Sequence, residues 1–457
     1  MNKIDSNIKI NMPKWVEYII DELQENNHKA YIVGGCVRDS LLGRTPHDYD
    51  ITTSAKPKEI VDIFESLGYK IIPTGLKHGT VTVMINNIGY EITTFRIDGD
   101  YSDGRHPDKV QFTNDLKEDL SRRDFTINAM AYNSNEGLID YFGGVMDLRQ
   151  NILNCVGDAK ERFKEDKLRI LRAFRFASTY NFEIYRNIIY AIDDDNNISQ
   201  LSKERIQSEF NKILLSSHPS FWLNVMMDNG LLEQIIPNIE DCYMFNQKNP
   251  HHDKYVFDHI MSVVDYTEPI LELRLAALFH DIGKPKTFSQ DENGIGHFYE
   301  HHKKSAKMCE ETMKTLRYTN KQIENVRELV YWHMTSCDYN NQKSVKKFIK
   351  NVGIDRLDNL FKLKVADICG SKMTYNDFED IFALKFACKK VLEEQLPMEV
   401  KDLDINGNDL IALGYKGKEI GDMLKLLLEK VLAYPELNTK EELLTLINKN
   451  EIVKGED

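Results

Sequence analysis

The chain lacks any run of eighteen apolar residues, so no membrane-spanning helix is expected. Its opening Met-Asn-Lys-Ile-Asp-Ser lacks the apolar core of a signal peptide, and a cytoplasmic location is the expectation. The seven cysteines (36, 155, 242, 309, 337, 369 and 388) include no C-x-x-C pair. An odd, dispersed set points away from disulfides and a structural zinc and towards reduced thiols. An excess of positive charge is missing too: 59 Lys and Arg stand against 72 Asp and Glu, for a net charge of −13. That argues against indiscriminate duplex binding, yet leaves room for a nucleic-acid substrate held in a confined basic groove. One stretch, 342–364, holds seven Lys/Arg against two Asp and reads equally well as a solvated helix face. Internal repeats and long low-complexity linkers are absent. The 457 residues suffice for three or four domains with a sizeable core.

What is present is organised around Tyr31–Thr52. An apolar strand, Tyr31–Val33, leads into Gly34 and Gly35, which let the backbone turn tightly. A short helix follows over Cys36–Leu42, closed by Gly43. Free N–H groups at such a helix start suit a triphosphate, and Arg38, one turn in, adds a bidentate phosphate donor. The chain returns as a second strand carrying Asp48 and Asp50, whose side chains share a face while Tyr49 points away. Two hard oxygen ligands beside a phosphate cradle are what Mg²⁺ needs.

This order resembles the nucleotidyltransferase signature of the polymerase β superfamily. Its long form, Gly34-Gly-Cys-Val-Arg-Asp through Pro46-His-Asp-Tyr-Asp-Ile-Thr52, is similar to bacterial tRNA nucleotidyltransferases and poly(A) polymerases. Helices are expected at 14–26 and at Pro57–Leu67. Strands are expected at Tyr69–Ile72, Thr80–Ile85, Tyr90–Arg96 and Val110–Phe112, which together make a mixed α/β head. Ile97-Asp-Gly-Asp-Tyr-Ser-Asp103-Gly-Arg105-His-Pro107, between the last two strands, reads as a flexible loop, and the resemblance implies a part in nucleotide selection for it. Glu91 is a candidate third metal carboxylate. In Arg122-Arg-Asp-Phe-Thr-Ile-Asn-Ala-Met-Ala-Tyr132, which matches a family motif, Arg123 can bind phosphate and Asp124 and Asn128 can reach ribose hydroxyls. The plainer reading is a capped helix with an ion pair. Leu138–Leu148 reads as the hinge leaving the head.

The pattern then turns helical. Asp166, Arg169, Arg172 and Arg175 recur every three residues, beside the apolar Leu168, Leu171 and Phe174. CTP and ATP both present an exocyclic amine beside a ring nitrogen that accepts. A carboxylate can accept from the amine while a guanidinium donates to the ring nitrogen. UTP and GTP would leave that pair unsatisfied, at roughly 1–3 kcal/mol per buried group. Asp166 and Arg169 can therefore replace a nucleic-acid template, and the family's Glu-Asp-x-x-Arg is intact as Glu165–Arg169. Arg172 and Arg175 can hold the triphosphate or the RNA 3′ end. Ser202-Lys-Glu-Arg-Ile-Gln-Ser-Glu209 resembles the family's next motif and reads as a helix start with Ser202 as N-cap.

Eight of the thirteen histidines fall between 251 and 333. His259, His280-Asp281, His301, His333 and Asp367 follow the order of the HD phosphohydrolase superfamily. That resemblance implies one metal completed by His259 and Asp367 and a second by His301 and His333, with His280 and Asp281 central. The choice of His301 over His302 rests on spacing to Ser305-Ala306. The tail, from Ile405 through a helix near Met423–Ala433, resembles the end of CCA-adding enzymes.

The expected fold class is α+β: a polymerase β-like head (1–150), a helical neck and body (151–245), an HD domain (246–370) and a helical tail (371–457). The expected activity is template-independent addition of CCA to tRNA from CTP and ATP with Mg²⁺, alongside a second divalent metal site in the HD part. Open alternatives are a poly(A) polymerase, a CC- or A-adding enzyme, or a metal phosphohydrolase with a nucleotide-sensing head.

Overall fold

The computed structural model describes residues 8–75, 79–99, 109–249, 254–371, 375–394 and 397–448. Of the loop expected over Ile97–Pro107, Ile97 and Asp98 belong to a strand, and residues 100–107 lie outside the described residues. The chain divides into two compact units, Met1–Ile235 and Ile236–Asp457.

The first unit opens with the strands β1 (Ala30–Val33), β2 (Asp50–Thr53), β3 (Lys70–Gly75), β4 (Thr80–Ile85), β5 (Ile88–Thr94), β6 (Arg96–Asp98), β7 (Val110–Phe112), β8 (Met130–Asn133) and β9 (Gly137–Asp140). Seven of them form one sheet in the order β3-β4-β5-β2-β1-β8-β9, while β6 and β7 pair as a separate ribbon. The helix α1 (Lys14–Glu25) packs against β1 and β2. It buries Val16, Ile19, Ile20 and Leu23 at its apolar spacing, each worth about 1.5–3 kcal/mol relative to exposure. The short helix α2 (Gly35–Leu41) starts at the glycine pair, and α3 (Pro57–Ser66) packs against β3 and β4. Tyr31 and Val33, on one face of β1, join Phe95, Leu116 and Leu120 in the head core.

Two strands of the seven-stranded sheet, β8 and β9, are not legible in the sequence. After α4 (Leu116–Ser121) the chain makes one 3-10 turn at Thr126–Asn128 and runs straight into β8, so Arg122–Tyr132 is not the capped helix of the plainer reading. Leu138–Leu148, the expected hinge, is built from the end of β9, a turn, and α5 (Gly144–Gln150). Asp140 organises that turn, its carboxylate accepting the backbone N–H groups of Phe142, Gly143, Gly144 and Val145 at 2.8–3.1 Å.

Helices α6 (Ala159–Glu165), α7 (Leu168–Tyr180), α8 (Arg186–Asp194) and α9 (Lys203–Leu214) follow. Leu168, Leu171 and Phe174 are buried, as their spacing requires. Ser202 stands at the N-cap position of α9, but its side chain makes no capping hydrogen bond.

The second unit is almost wholly helical. Around Leu271–Phe279 gather Val256–Tyr266, His301–Thr315, Asn320–Trp332 and Ile354–Gly370, with a small hairpin of Phe288–Gln290 and Gly296–Phe298. A Cβ on Gly283 would lie 2.7 Å from the Ser305 nitrogen and 2.9 Å from the His301 carbonyl oxygen. Only glycine lets the His280-Asp281 turn approach that helix so closely. The tail helices Gly407–Ala412, Lys418–Ala433 and Lys440–Asn448 close on their own core of Leu403, Leu410, Leu427, Val431 and Leu443.

Candidate active site and metal centre

In the first unit, the antiparallel pairing of β1 with β2 sets Val33 opposite Asp50. Because Val33 precedes the glycine pair, the register brings Asp50 to the Gly-Gly turn. Gly34 adopts φ +77°, and a Cβ there would lie 3.0 Å from Arg123 Nη1 and 3.9 Å from Asp50 Oδ2. Both the backbone angle and the space demand glycine. The strand begins at Asp50, so Asp48 lies in the turn just before it, and both residues are exposed. The parallel pairing of β2 with β5 sets Ile51 beside Ile92, which places Glu91 next to Asp50 on the neighbouring strand. The Asp50 carboxyl is raised above its ordinary range by desolvation, with the Asp48 and Glu91 carboxylates adding to the shift and Arg123 opposing it. Three carboxylates crowded against one guanidinium are a donor set that a hard divalent cation would relieve. Arg123 keeps a buried Nε with no hydrogen-bond partner among the described residues. A polar cavity of about 200 Å³, lined by Asp50, Thr52, Thr93, Arg96, Arg122 and Arg123, opens beside it.

The other predicted residues of the head meet one another. Arg38 donates to Asn128 Oδ1 at 2.6 Å and grips Asp39 through Nε and Nη2 at 2.9 and 3.0 Å. Asn128 donates in turn to Asp124 at 3.1 Å, and Asp124 receives Arg172 through Nε at 2.8 Å and Nη2 at 2.6 Å. One relay of side chains thus joins α2 to α7. Burial alone would push the Asp124 carboxyl up, but Arg172 and the hydrogen bonds from Asn128 and Arg172 outweigh it and hold it at about 2. Arg38 is buried and uses three of its five N–H donors on Asp39 and Asn128.

The arginine row on α7 is paired rung by rung: Arg169 with Glu165, Arg172 with Asp124, Arg175 with Glu209. Asp166 sits in the break between α6 and α7, where Oδ1 accepts from Leu168 N at 2.9 Å and Oδ2 from Arg205 at 2.7 Å. It does not pair with Arg169. Arg169 donates to Glu165 and to the carbonyls of Arg162 and Arg122, using three of its five N–H donors. Asp166 likewise keeps acceptor capacity, since a carboxylate offers about four lone-pair sites. Arg205 and Glu209, the partners that sequence reasoning passed over, lie in the Ser202–Glu209 string and are buried or half-buried, a signal visible only as charges spaced at i, i+4.

In the second unit all six predicted ligands converge, in two groups: His259, His280 and Asp367, and Asp281, His301 and His333. His259 Nε2 lies 3.1 Å from Asp367 Oδ1 and 3.4 Å from Asp281 Oδ2, and His301 Nε2 lies 3.2 Å from Asp281 Oδ1. Asp281 stands between the groups. The Nδ1 atoms of His280, His301 and His333 face the carbonyls of Ala277, Phe298 and Val330 at 2.6–2.8 Å, which fixes the rings with Nε2 inward. Nε2 of His301 and of His333 is buried and unsatisfied, as a metal ligand would be in the absence of its ion. Burial, with His280 nearby, lowers His333 to about 3, keeping it neutral and able to ligate. His302 stands outside, half-buried against Tyr331. Lys284, which reaches Asp281 Oδ2 at 2.6 Å and Gln247 at 2.9 Å, is a further neighbour of the cluster.

Three family profiles match the chain: the poly A polymerase head domain over residues 30–154, the probable RNA and SrmB-binding site of polymerase A over 181–243, and the HD domain over 256–369. A CCA-adding enzyme of Staphylococcus haemolyticus is 31% identical over 439 residues, covering 94% of this chain and 96% of its own. One of Ligilactobacillus salivarius is 32% identical over 432 residues, covering 93% and 94%. The crystal structure of a Bacillus stearothermophilus CCA-adding enzyme in complex with CTP superimposes with a TM-score of 0.70, at 26% identity, over 96% of this chain and 98% of that one.

Proposed function

Because the chain belongs to the family of CCA-adding enzymes, we propose that it adds CCA to the 3′ end of tRNA from CTP and ATP without a nucleic-acid template. One observation supports the chemistry: Asp50 and Arg123 lie at the Gly34–Gly35 turn, and the Asp48 and Glu91 carboxylates act on Asp50 there. The amides of that turn and Arg123 bind the triphosphate. Asp48 and Asp50 hold Mg²⁺, which when bound eases deprotonation of the RNA 3′-hydroxyl and neutralises the charge of the departing pyrophosphate. Asp166 accepts from the exocyclic amine of cytosine or adenine while Arg169 donates to the adjacent ring nitrogen. Arg172 and Asp124 keep the neck helix in register with the cradle, and Asn128 and Asp124 face the ribose. The head spans 1–150, the neck and body 151–245, the HD domain 246–370 and the tail 371–457, and the enzyme works in the cytoplasm.

The histidine cluster favours a second reading beside the first, a divalent metal centre in the HD domain. Its support is the pair of buried, unsatisfied Nε2 atoms on His301 and His333. Incubating the protein with tRNA that ends at the discriminator base tests the main reading. CTP plus ATP should yield a product longer by three nucleotides. A long A-tail, or no extension, would refute it.

A further inference from the structure

Four guanidiniums gather on two stacked rings of α7. Phe176 and Tyr180 lie 6.2 Å apart at an interplanar angle of 21°. Arg175 sits 3.7 Å over Phe176, with Arg38 and Arg172 at 5.2 and 5.3 Å. Arg38 and Arg44 both lie 4.6 Å from the Tyr180 ring centroid. The Tyr180 hydroxyl donates to Asp39 Oδ1 at 2.9 Å, and the Arg44 backbone N–H donates to the Asp39 carbonyl at 2.9 Å, so ring and arginine are anchored on the same residue. Three carboxylates answer the four cations: Asp39 pairs Arg38, Asp124 pairs Arg172, and Glu209 pairs Arg175. Among the described residues Arg44 has no carboxylate partner, and it is the exposed member. It lies on the turn between Gly43 and Pro46 that leads into Asp48.

A guanidinium held over an aromatic ring has its orientation set while its N–H edge stays free to donate. An anion that meets it finds a donor already ordered, at a reduced entropic cost. The chain is acidic overall, so contacts with RNA phosphates must come from individually placed cations. We propose that Arg44, ordered by Tyr180, binds a phosphodiester of the RNA acceptor end as it enters the site. The proposal rests on the tRNA reading above. The triphosphate shares the phosphate chemistry, but its place is at the Gly34–Gly35 amides, at the opposite end of α2 from Arg44.

The test is equilibrium binding of tRNA ending at the discriminator base, without nucleotide, at several salt concentrations, together with steady-state kinetics in tRNA and in CTP. Arg44→Ala should weaken tRNA binding roughly tenfold, flatten the dependence of log K on log salt by about 1, and raise KM for tRNA while leaving KM for CTP within about twofold. Tyr180→Leu should reproduce part of the loss, and Tyr180→Phe, which keeps the ring, should cause little. A wild-type protein that fails to bind tRNA refutes the underlying reading. Wild-type binding that Arg44→Ala leaves unchanged, in affinity and in salt slope, overturns the assignment of Arg44 alone. A rise confined to KM for CTP overturns it in favour of the triphosphate.

Discussion

The nucleotidyl-transfer site and the histidine cluster solve the problem of buried polarity in opposite ways. In the first, most ionic groups are already matched: Arg38 with Asp39, Arg172 with Asp124, Arg175 with Glu209, Asp166 with Arg205. Only the carboxylates at the Gly34 turn are crowded by like charge. In the second, imidazoles point buried nitrogens at a shared aspartate, and Nε2 of His301 and of His333 has no hydrogen-bond partner among the described residues. A site of matched charges can exchange a protein partner for a substrate group at small net cost, which suits a centre that must accept two bases in turn. A site of unsatisfied lone pairs has one good answer, a cation held continuously.

The contrast can be broken at several points. Asp50→Ala should lower nucleotide addition by on the order of 10³-fold or more, measured by single-turnover extension of tRNA, because no other group occupies the strand position beside Gly34. Asp124→Asn should cost about 3 kcal/mol of stability in chemical denaturation, since it strands the Arg172 guanidinium. The pH dependence has a definite sign. Asp124 is held at about 2 against an ordinary 3.8, so its contribution is fully present above that ordinary value and is lost as pH falls through about 2. Unfolding of the wild type, but not of Asp124→Asn, should therefore show this acid-labile increment. Arg169→Ala should relax discrimination against UTP and GTP by roughly tenfold or more in kcat/KM, while unchanged selectivity would remove Arg169 from base reading. Glu91→Gln should lower the extension rate by roughly tenfold, and it should raise the Mg²⁺ concentration needed for half-maximal rate if Glu91 shares the cation.

The sequence made the two sites legible to different depths. Gly34, Gly35, Asp48 and Asp50 fall within one local motif, and the strand and helix around the glycines form within a residue or two of expectation; the strand expected to carry both carboxylates on one face begins only at Asp50, which leaves Asp48 in the turn before it. The six residues read as HD ligands come from five places in the chain, with His280 and Asp281 adjacent, yet their motif order pointed to the groups that the structure brings together, with His301 rather than His302 among them. The partners of the arginine row were not legible. Arg175 and Glu209 are 34 positions apart, Asp166 and Arg205 are 39, and Asp124 and Arg172 are 48, so only the packing of α7 and α9 against each other and the head reveals them. β8 escaped notice because all four of its residues are buried, which removes the alternation that marks a half-exposed strand.

The central claim is that the two centres are chemically separate. Asp281→Asn tests it most directly, with Mn²⁺ binding by titration calorimetry and three-nucleotide extension of tRNA measured on the same folded preparation. The expected result is loss of the high-affinity Mn²⁺ site with extension within about twofold of wild type, because the ion pairs of the Asp281 carboxylate among the described residues run to the histidine cluster and Lys284. Loss of extension together with the metal, in protein that remains folded, would contradict it.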